Sequence, residues 1–165
     1  MPKTLLTAEI EALVGRTVAY TAPEPFGAAE FRYFALAVDD PNPIYTDDAA
    51  ARAAGYDGVT APPTFITETN QYMSGAMDSH GYGGHGWGIE IPGTRMIRGG
   101  HDYEFHQPVK VGDVMTAEWT VVDVSERTSR QGALMVEVIS EARYHNQHHE
   151  LLAVNRERLI FQELS

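Results

Sequence analysis

The sequence predicts an α+β domain, with helices gathered in its first half and a run of antiparallel strands in its second. Three observations carry this expectation. Apolar residues recur at helical spacing through the first half, whereas from Arg95 onward Val, Ile, Thr, Tyr and Phe dominate long segments separated by turn residues. At 165 residues, 43% hydrophobic and 21% charged, the chain can bury one core without metal or disulfide staples. Residues 1–165 are therefore expected to form a single domain, free of internal repeats and linkers.

Taken in order, Thr7 is the expected N-cap of a first helix carrying Ile10, Leu13 and Val14 on one stripe and stopping at Gly15. A short strand is expected over Thr17 to Thr21. After the turn-rich residues 22–27, Phe31, Phe34, Ala35 and Val38 mark an amphipathic helix from Ala28 to Val38, ended by Asp39-Asp40-Pro41. An Ala-rich helix follows from Asp47 to Ala54, with its acidic residues at the N-terminus. Pro62 and Pro63 precede a buried central helix expected over Thr64 to Met73, with Phe65, Ile66, Thr69 and Met73 inward. Ser79 to Gly88, with five glycines, His80, His85 and Trp87, reads as a loop that either lids a tunnel or decorates the surface. Strands are then expected near Arg95 to Phe105, Val114 to Val124, Ala133 to Tyr144 and Leu151 to Phe161.

Composition narrows the function. Twelve Lys+Arg against 23 Asp+Glu give a formal charge of −11, the wrong sign for a nucleic-acid or anionic-membrane binder. The absence of Cys removes thiolate nucleophiles and zinc-thiolate sites, and is compatible with a reducing cytoplasm. No apolar run reaches membrane-spanning length, no signal-type segment follows Met1, and a cytoplasmic location is expected. Phosphate-loop, dinucleotide and Gly-x-Ser-x-Gly signatures are missing. His145-Asn-Gln-His148-His149 falls at an expected hairpin turn and reads as a solvated turn, so neither metal nor cofactor is expected.

The densest polar cluster is Asp40-Pro-Asn42-Pro-Ile-Tyr45-Thr-Asp47. Two prolines stiffen a non-helical corner in which a carboxylate, a carboxamide and a phenol can face one cavity. The same Asp and Asn can equally serve to stop one helix and cap the next. This segment, with Gly55-Tyr-Asp-Gly58, Ala61-Pro-Pro-Thr-Phe65 and the later strand-then-turn stretch Ile97 to Asp113, resembles the MaoC-like acyl dehydratases and (R)-specific enoyl-thioester hydratases. The N-terminal type of MaoC domain is the nearest match.

The resemblance implies a hotdog fold, in which an antiparallel sheet wraps a long central helix. It also implies an acyl chain on CoA or acyl carrier protein, and a homodimer or a heteromer with a second MaoC-like subunit. In active members an Asp and a His hold the water that adds across the 2,3 double bond, and an Asn orients the site. Asp40 and Asn42 match, but Tyr45 stands at the His position. A phenol ordinarily titrates near ~10, far from the ~6.5 of imidazole, so it is a poor base at neutral pH. His101, on an expected strand face with Tyr103 and Phe105, is a candidate replacement.

Active relatives present a His-Gly step to the thioester oxygen, where this chain has Pro62-Pro63; the N–H groups of Thr64 and Phe65 remain as candidate oxyanion donors. For the CoA diphosphate the resemblance points to Arg98 beside Gly99-Gly100, among cations that include Arg95, Lys110, Arg127 and Arg130. The expected function is an acyl-thioester hydratase or dehydratase-family protein that acts as a substrate-binding half beside a catalytic MaoC-type subunit. The alternatives are a self-sufficient hydratase using Asp40 with Tyr45 or His101, and a hotdog thioesterase using Glu68.

Overall fold

In a computed structural model, residues 4–70 and 87–164 are described. Helices α1 (Ala8–Glu11), α2 (Ala28–Ala37) and α3 (Asp48–Ala53) share the first third of the chain with strand β1 (Thr17–Thr21). Four long strands follow: β2 (Thr94–Phe105), β3 (Thr116–Thr128), β4 (Leu134–His145) and β5 (Leu151–Glu163). They form one antiparallel sheet in the order β1-β3-β4-β5-β2, with β1 and β2 at its edges.

Local chemistry accounts for the element boundaries. Thr7 Oγ1 accepts from the Ile10 N–H, Asp47 Oδ1 accepts from the Ala50 N–H, and Glu30 reaches back to the N–H of Gly27. Gly15 and Gly55, at φ +87° and +94°, follow the first and third helices in the left-handed conformation that glycine adopts without a Cβ clash. The α1 helix is shorter than the spacing suggested, and Val14 is half exposed, because only Ile10 and Leu13 reach the core.

Phe31 and Ala35 of α2 are buried as expected, while Val38 serves as the C-cap and lies largely in solvent. The expected central helix starts at the expected place but takes the 3-10 form over Pro63–Asn70. Pro62 and Pro63 withhold two N–H donors, Thr64 and Thr67 are β-branched, and Thr67 Oγ1 donates to the Thr64 carbonyl, so the α ladder has local competition. Residues 71–73 of that expected helix lie outside the described residues.

The core fills the inner face of the sheet with Trp119, Val121, Val136, Val138, Leu152 and Tyr144, against Phe31 and Phe65. Phe65 meets Phe26, Phe31 and Phe34 edge-on at centroid distances of 5.0, 5.0 and 5.4 Å. Trp87 belongs to this core rather than to a lid: it is 3% exposed and donates from Nε1 to Ser140 Oγ at 2.8 Å. His80 and His85 lie outside the described residues. The β4–β5 turn forms where expected, with Asn146 Oδ1 accepting from the N–H groups of His148 and Glu150.

Candidate functional site

The proline-stiffened corner links α2 to α3. Asp39 takes φ +56°, turning the chain out of α2, and Asp40 Oδ1 accepts from the Asn42 N–H at 3.1 Å. Asn42 Oδ1 in turn caps the 3-10 turn Pro43–Tyr45 through the Ile44 N–H at 3.2 Å. The turn drives Tyr45 into the protein, where it is 6% exposed. Burial raises the Tyr45 phenol above its ordinary value, and the adjoining Asp40 carboxylate and then Tyr56 push it the same way. The corner thus holds a protonated phenol against a carboxylate at neutral pH. It offers no imidazole of its own.

Tyr56 connects this corner to a groove of about 190 Å³ lined by Tyr56, Pro63, Ile66, Phe105, His106 and Pro108. Next in sequence to Pro63, Thr64 is exposed and its N–H makes no hydrogen bond among the described residues. The N–H of Phe65 is engaged by Pro62 O at 2.9 Å, and its ring is 3% exposed in the aromatic cluster. Of the two expected oxyanion donors, Thr64 alone has its N–H available. The side chain of Glu68 lies outside the described residues.

From the groove, the rings of Phe105, Tyr103 and His101 follow one another along the inner face of β2 at 5.6 and 6.0 Å. This is the shared face that alternation along the strand implied. His101 ends the row in a polar cluster. Its Nδ1 lies 3.2 Å from Asn155 Nδ2 and its Nε2 3.7 Å from Glu157 Oε1, while Arg98 Nη1 donates to the same carboxylate oxygen at 3.3 Å. Burial raises the Glu157 carboxyl above its ordinary value, and the charges of His101 and Arg98 offset part of that rise.

Gly99 and Gly100 form a β-bulge beside this cluster, with Gly100 at φ +137°. A Cβ at Gly99 would meet Arg158 Cγ at 2.8 Å, so the glycine there is required by the neighbouring strand. Asn155 and Glu157 escape a motif-led reading. Their signal is the alternation of β5, whose inward positions Ala153, Asn155, Glu157 and Phe161 include two polar residues.

The expected diphosphate cations are dispersed. Arg95 bonds Gln162, Lys110 pairs with Asp57 at 3.5 Å, Arg127 shares Glu137 with Arg158, and Arg98 turns to Glu157. A second cavity, of about 580 Å³, opens beyond the corner with Thr46, Asp48, Asp57, Thr60 and Lys110 in its wall. Two aspartates against one lysine leave that wall unsuited to a diphosphate. Asp113, at the end of the Pro108-to-Asp113 motif, is a structural residue: its carboxylate accepts from the Lys110 N–H and from Asn146 Nδ2. No group of three or more His, Asp or Glu among the described residues could hold a metal ion.

A family model described as the FAS1-like dehydratase domain region matches residues 12–154. The chain belongs to this dehydratase family. A UPF0336 protein of Streptomyces avermitilis is 32% identical over 146 residues, covering 88% of this chain and 91% of the relative. Among solved structures, the ChsH1–ChsH2 complex from Mycobacterium tuberculosis superposes with a TM-score of 0.73 at 22% identity, covering 96% of this chain and 90% of that one. The MaoC-like dehydratase from Rhodospirillum rubrum superposes at 0.64 and 20% identity, covering 92% and 94%. The M. tuberculosis HadBC complex, a 3R-hydroxyacyl-ACP dehydratase, does so at 0.59 and 25% identity, covering 88% and 96%.

The expected MaoC-like recognition and hotdog fold are thereby met: an α+β dehydratase-family domain built on one five-stranded antiparallel sheet. Among the described residues, no helix is long and apolar enough to cross a membrane.

Proposed function

We propose that this chain is the acyl-thioester-binding half of a hydratase or dehydratase assembly, beside a second MaoC-type subunit that supplies the imidazole. The observation that carries the reading is the buried phenol of Tyr45. It stands at the position of the expected histidine, and both its burial and Asp40 favour its protonated form. Adding water across an enoyl thioester needs a group that takes a proton and returns it near neutrality, which imidazole does and a raised phenol does not.

The remaining geometry is that of a binding surface. The Thr64 N–H, next in sequence to the groove residue Pro63, can receive the thioester oxygen, Asp40 and Asn42 brace the corner that holds Tyr45, and the rings from Phe105 to His101 offer a track for the acyl chain. Strand β2, 12 residues long, pairs only with β5 among the described residues, so its outer edge is open for a partner sheet. The ChsH1–ChsH2 and HadBC neighbours are complexes of two different subunits, which supports a heteromer over a homodimer. The thioester is carried on CoA or on acyl carrier protein.

A second reading has one observation in its favour. His101 lies 3.7 Å from the Glu157 carboxylate, the arrangement that orients a basic imidazole in self-sufficient enzymes. Mixing decides between the two. The isolated chain should bind acyl-CoA, and it should comigrate with a MaoC-type subunit that retains Asp and His. Hydration by the mixture should disappear when the partner's His is removed and persist when this chain carries His101→Gln. The opposite pattern would move the chemistry to His101.

A further inference from the structure

The groove of about 190 Å³ has a divided lining. Pro63, Ile66, Phe105 and Pro108 are apolar, and polarity enters through Tyr56 and through two consecutive residues directly after β2, His106 and Gln107. The backbone N–H groups of His106 and Gln107 are both taken by the Leu152 carbonyl, at 2.9 and 3.1 Å, so polar contact from this pair to a bound molecule falls to the side chains. Glu104 faces Nε2 of the His106 ring at 3.6 Å. Nδ1 of that ring and the Gln107 carboxamide have no hydrogen-bond partner among the described residues.

A carboxamide donates and accepts at once, and an imidazole nitrogen does one or the other according to its tautomer. Together they match the single N–H and single C=O of a secondary amide. The size agrees: at ~30 Å³ per water-sized group the groove holds roughly six such groups, the extent of one amide with the methylenes on either side. Phosphates find no counterpart there. No Lys or Arg lines the groove among the described residues, and residues 71–86 contain none. Lys110, the nearest cation in sequence, is paired with Asp57 at 3.5 Å, and Glu104 adds a carboxylate beside His106. A surface of that charge does not attract a diphosphate.

We propose that His106 and Gln107 read the first amide of a pantetheine arm, and that this chain recognises its thioester through that arm rather than through the phosphates beyond it. The inference rests on the acyl-thioester reading and adds to it the part of the carrier that is recognised. In a pantetheine thioester the amide stands two methylenes from the sulfur, so an amide held in the groove keeps the reacting carbonyl close to it. Phe105 belongs both to the groove and to the row of rings that continues through Tyr103 to His101. The ligand therefore has a direction, with its amide at His106 and Gln107 and its acyl chain along β2. CoA and acyl carrier protein share the arm, and this chain accepts either.

Calorimetric titration of the full chain with three hexanoyl thioesters tests this. Hexanoyl-CoA carries the amide and the phosphates, hexanoyl-N-acetylcysteamine keeps the amide and lacks every phosphate, and S-butyl hexanethioate lacks both. The first two should bind within about threefold of each other, and the third about tenfold more weakly, the value of two modest hydrogen bonds. His106→Leu and Gln107→Leu should each cut the preference for the amide to about threefold, and the double variant should abolish it while leaving the affinity for S-butyl hexanethioate within about twofold. Both residues are exposed, so the fold tolerates the changes, and the wild-type ratios are informative without them. An N-acetylcysteamine thioester bound more than about threefold more weakly than hexanoyl-CoA, equal binding with and without the amide, or a preference that survives in the double variant would overturn the inference and leave the acyl-thioester reading intact. Absence of binding by all three would overturn the two together.

Discussion

Replacing Phe65 by Ala should remove a large share of the stability of this domain. The ring is 3% exposed and is enclosed edge-on by Phe26, Phe31 and Phe34 at 5.0 to 5.4 Å, so the 3-10 segment, α2 and the loop before α2 lose their common contact at once. Truncating a buried Phe typically costs ~3–5 kcal/mol through lost transfer energy and the cavity left behind. The three ring pairs place Phe65 in the upper part of that range, about 4 kcal/mol.

Single domains hold ~5–15 kcal/mol in total, so the loss is a substantial fraction of the whole. Urea titration followed by the fluorescence of Trp87 and Trp119, both in the core, measures it. With a slope of about 2 kcal/mol per molar, the midpoint should fall by roughly 2 M. A loss below about 1 kcal/mol would refute the assignment of Phe65 as the anchor of the 3-10 segment, since surface substitutions lie within ~0.5 kcal/mol.

Three further outcomes follow from the polar cluster, the bulge and the corner. The Glu157 carboxyl is raised above its ordinary 4.5 by burial, so its contribution to stability is full below that value and is lost as pH rises through the folded-state value. Glu157→Gln should therefore leave the melting temperature unchanged near pH 4 and raise it at pH 7; a variant that is less stable at pH 7 would contradict the net sign. Gly100→Ala should cost about 1–3 kcal/mol by urea titration, because φ +137° is strained for a residue with a Cβ, and an unchanged midpoint would show that the bulge relaxes freely. The Tyr45 phenol is raised from 10.0, so folding loses stability as pH climbs above 10; melting curves at alkaline pH should fall less steeply for Tyr45→Phe, and an unaltered slope would argue against the buried, Asp40-coupled phenol.

The sheet was legible because long strands advertise themselves by β-branched and aromatic residues between turn signals, and the observed bounds of β2 to β5 lie within a few residues of those expected. β1 matches its expected span of Thr17 to Thr21. The 3-10 form of Pro63–Asn70 was not legible: the apolar spacing of Phe65 and Ile66 suits a helix, and periodicity does not register the hydroxyl of Thr67 competing for a backbone carbonyl.

At the candidate site, the motif marked Asp40, Asn42 and Tyr45 but left open whether they cap or react. The structure shows the carboxylate and the amide both engaged with backbone N–H groups of the corner. Asn155 and Glu157 belong to no motif. They emerge only from register, which brings the polar inward positions of β5 against His101 of β2, more than fifty residues away in sequence.

Whether the Tyr45 corner carries hydration by itself is decided by the turnover of a 2-enoyl-CoA by the purified chain, followed through the loss of enoyl-thioester absorbance. No rate above the uncatalysed background is expected for wild type or Tyr45→Phe, with acyl-CoA binding retained in both. Robust hydration by the isolated wild-type chain, reduced ~10²-fold or more by Tyr45→Phe as for loss of a positioned acid or base, would contradict it.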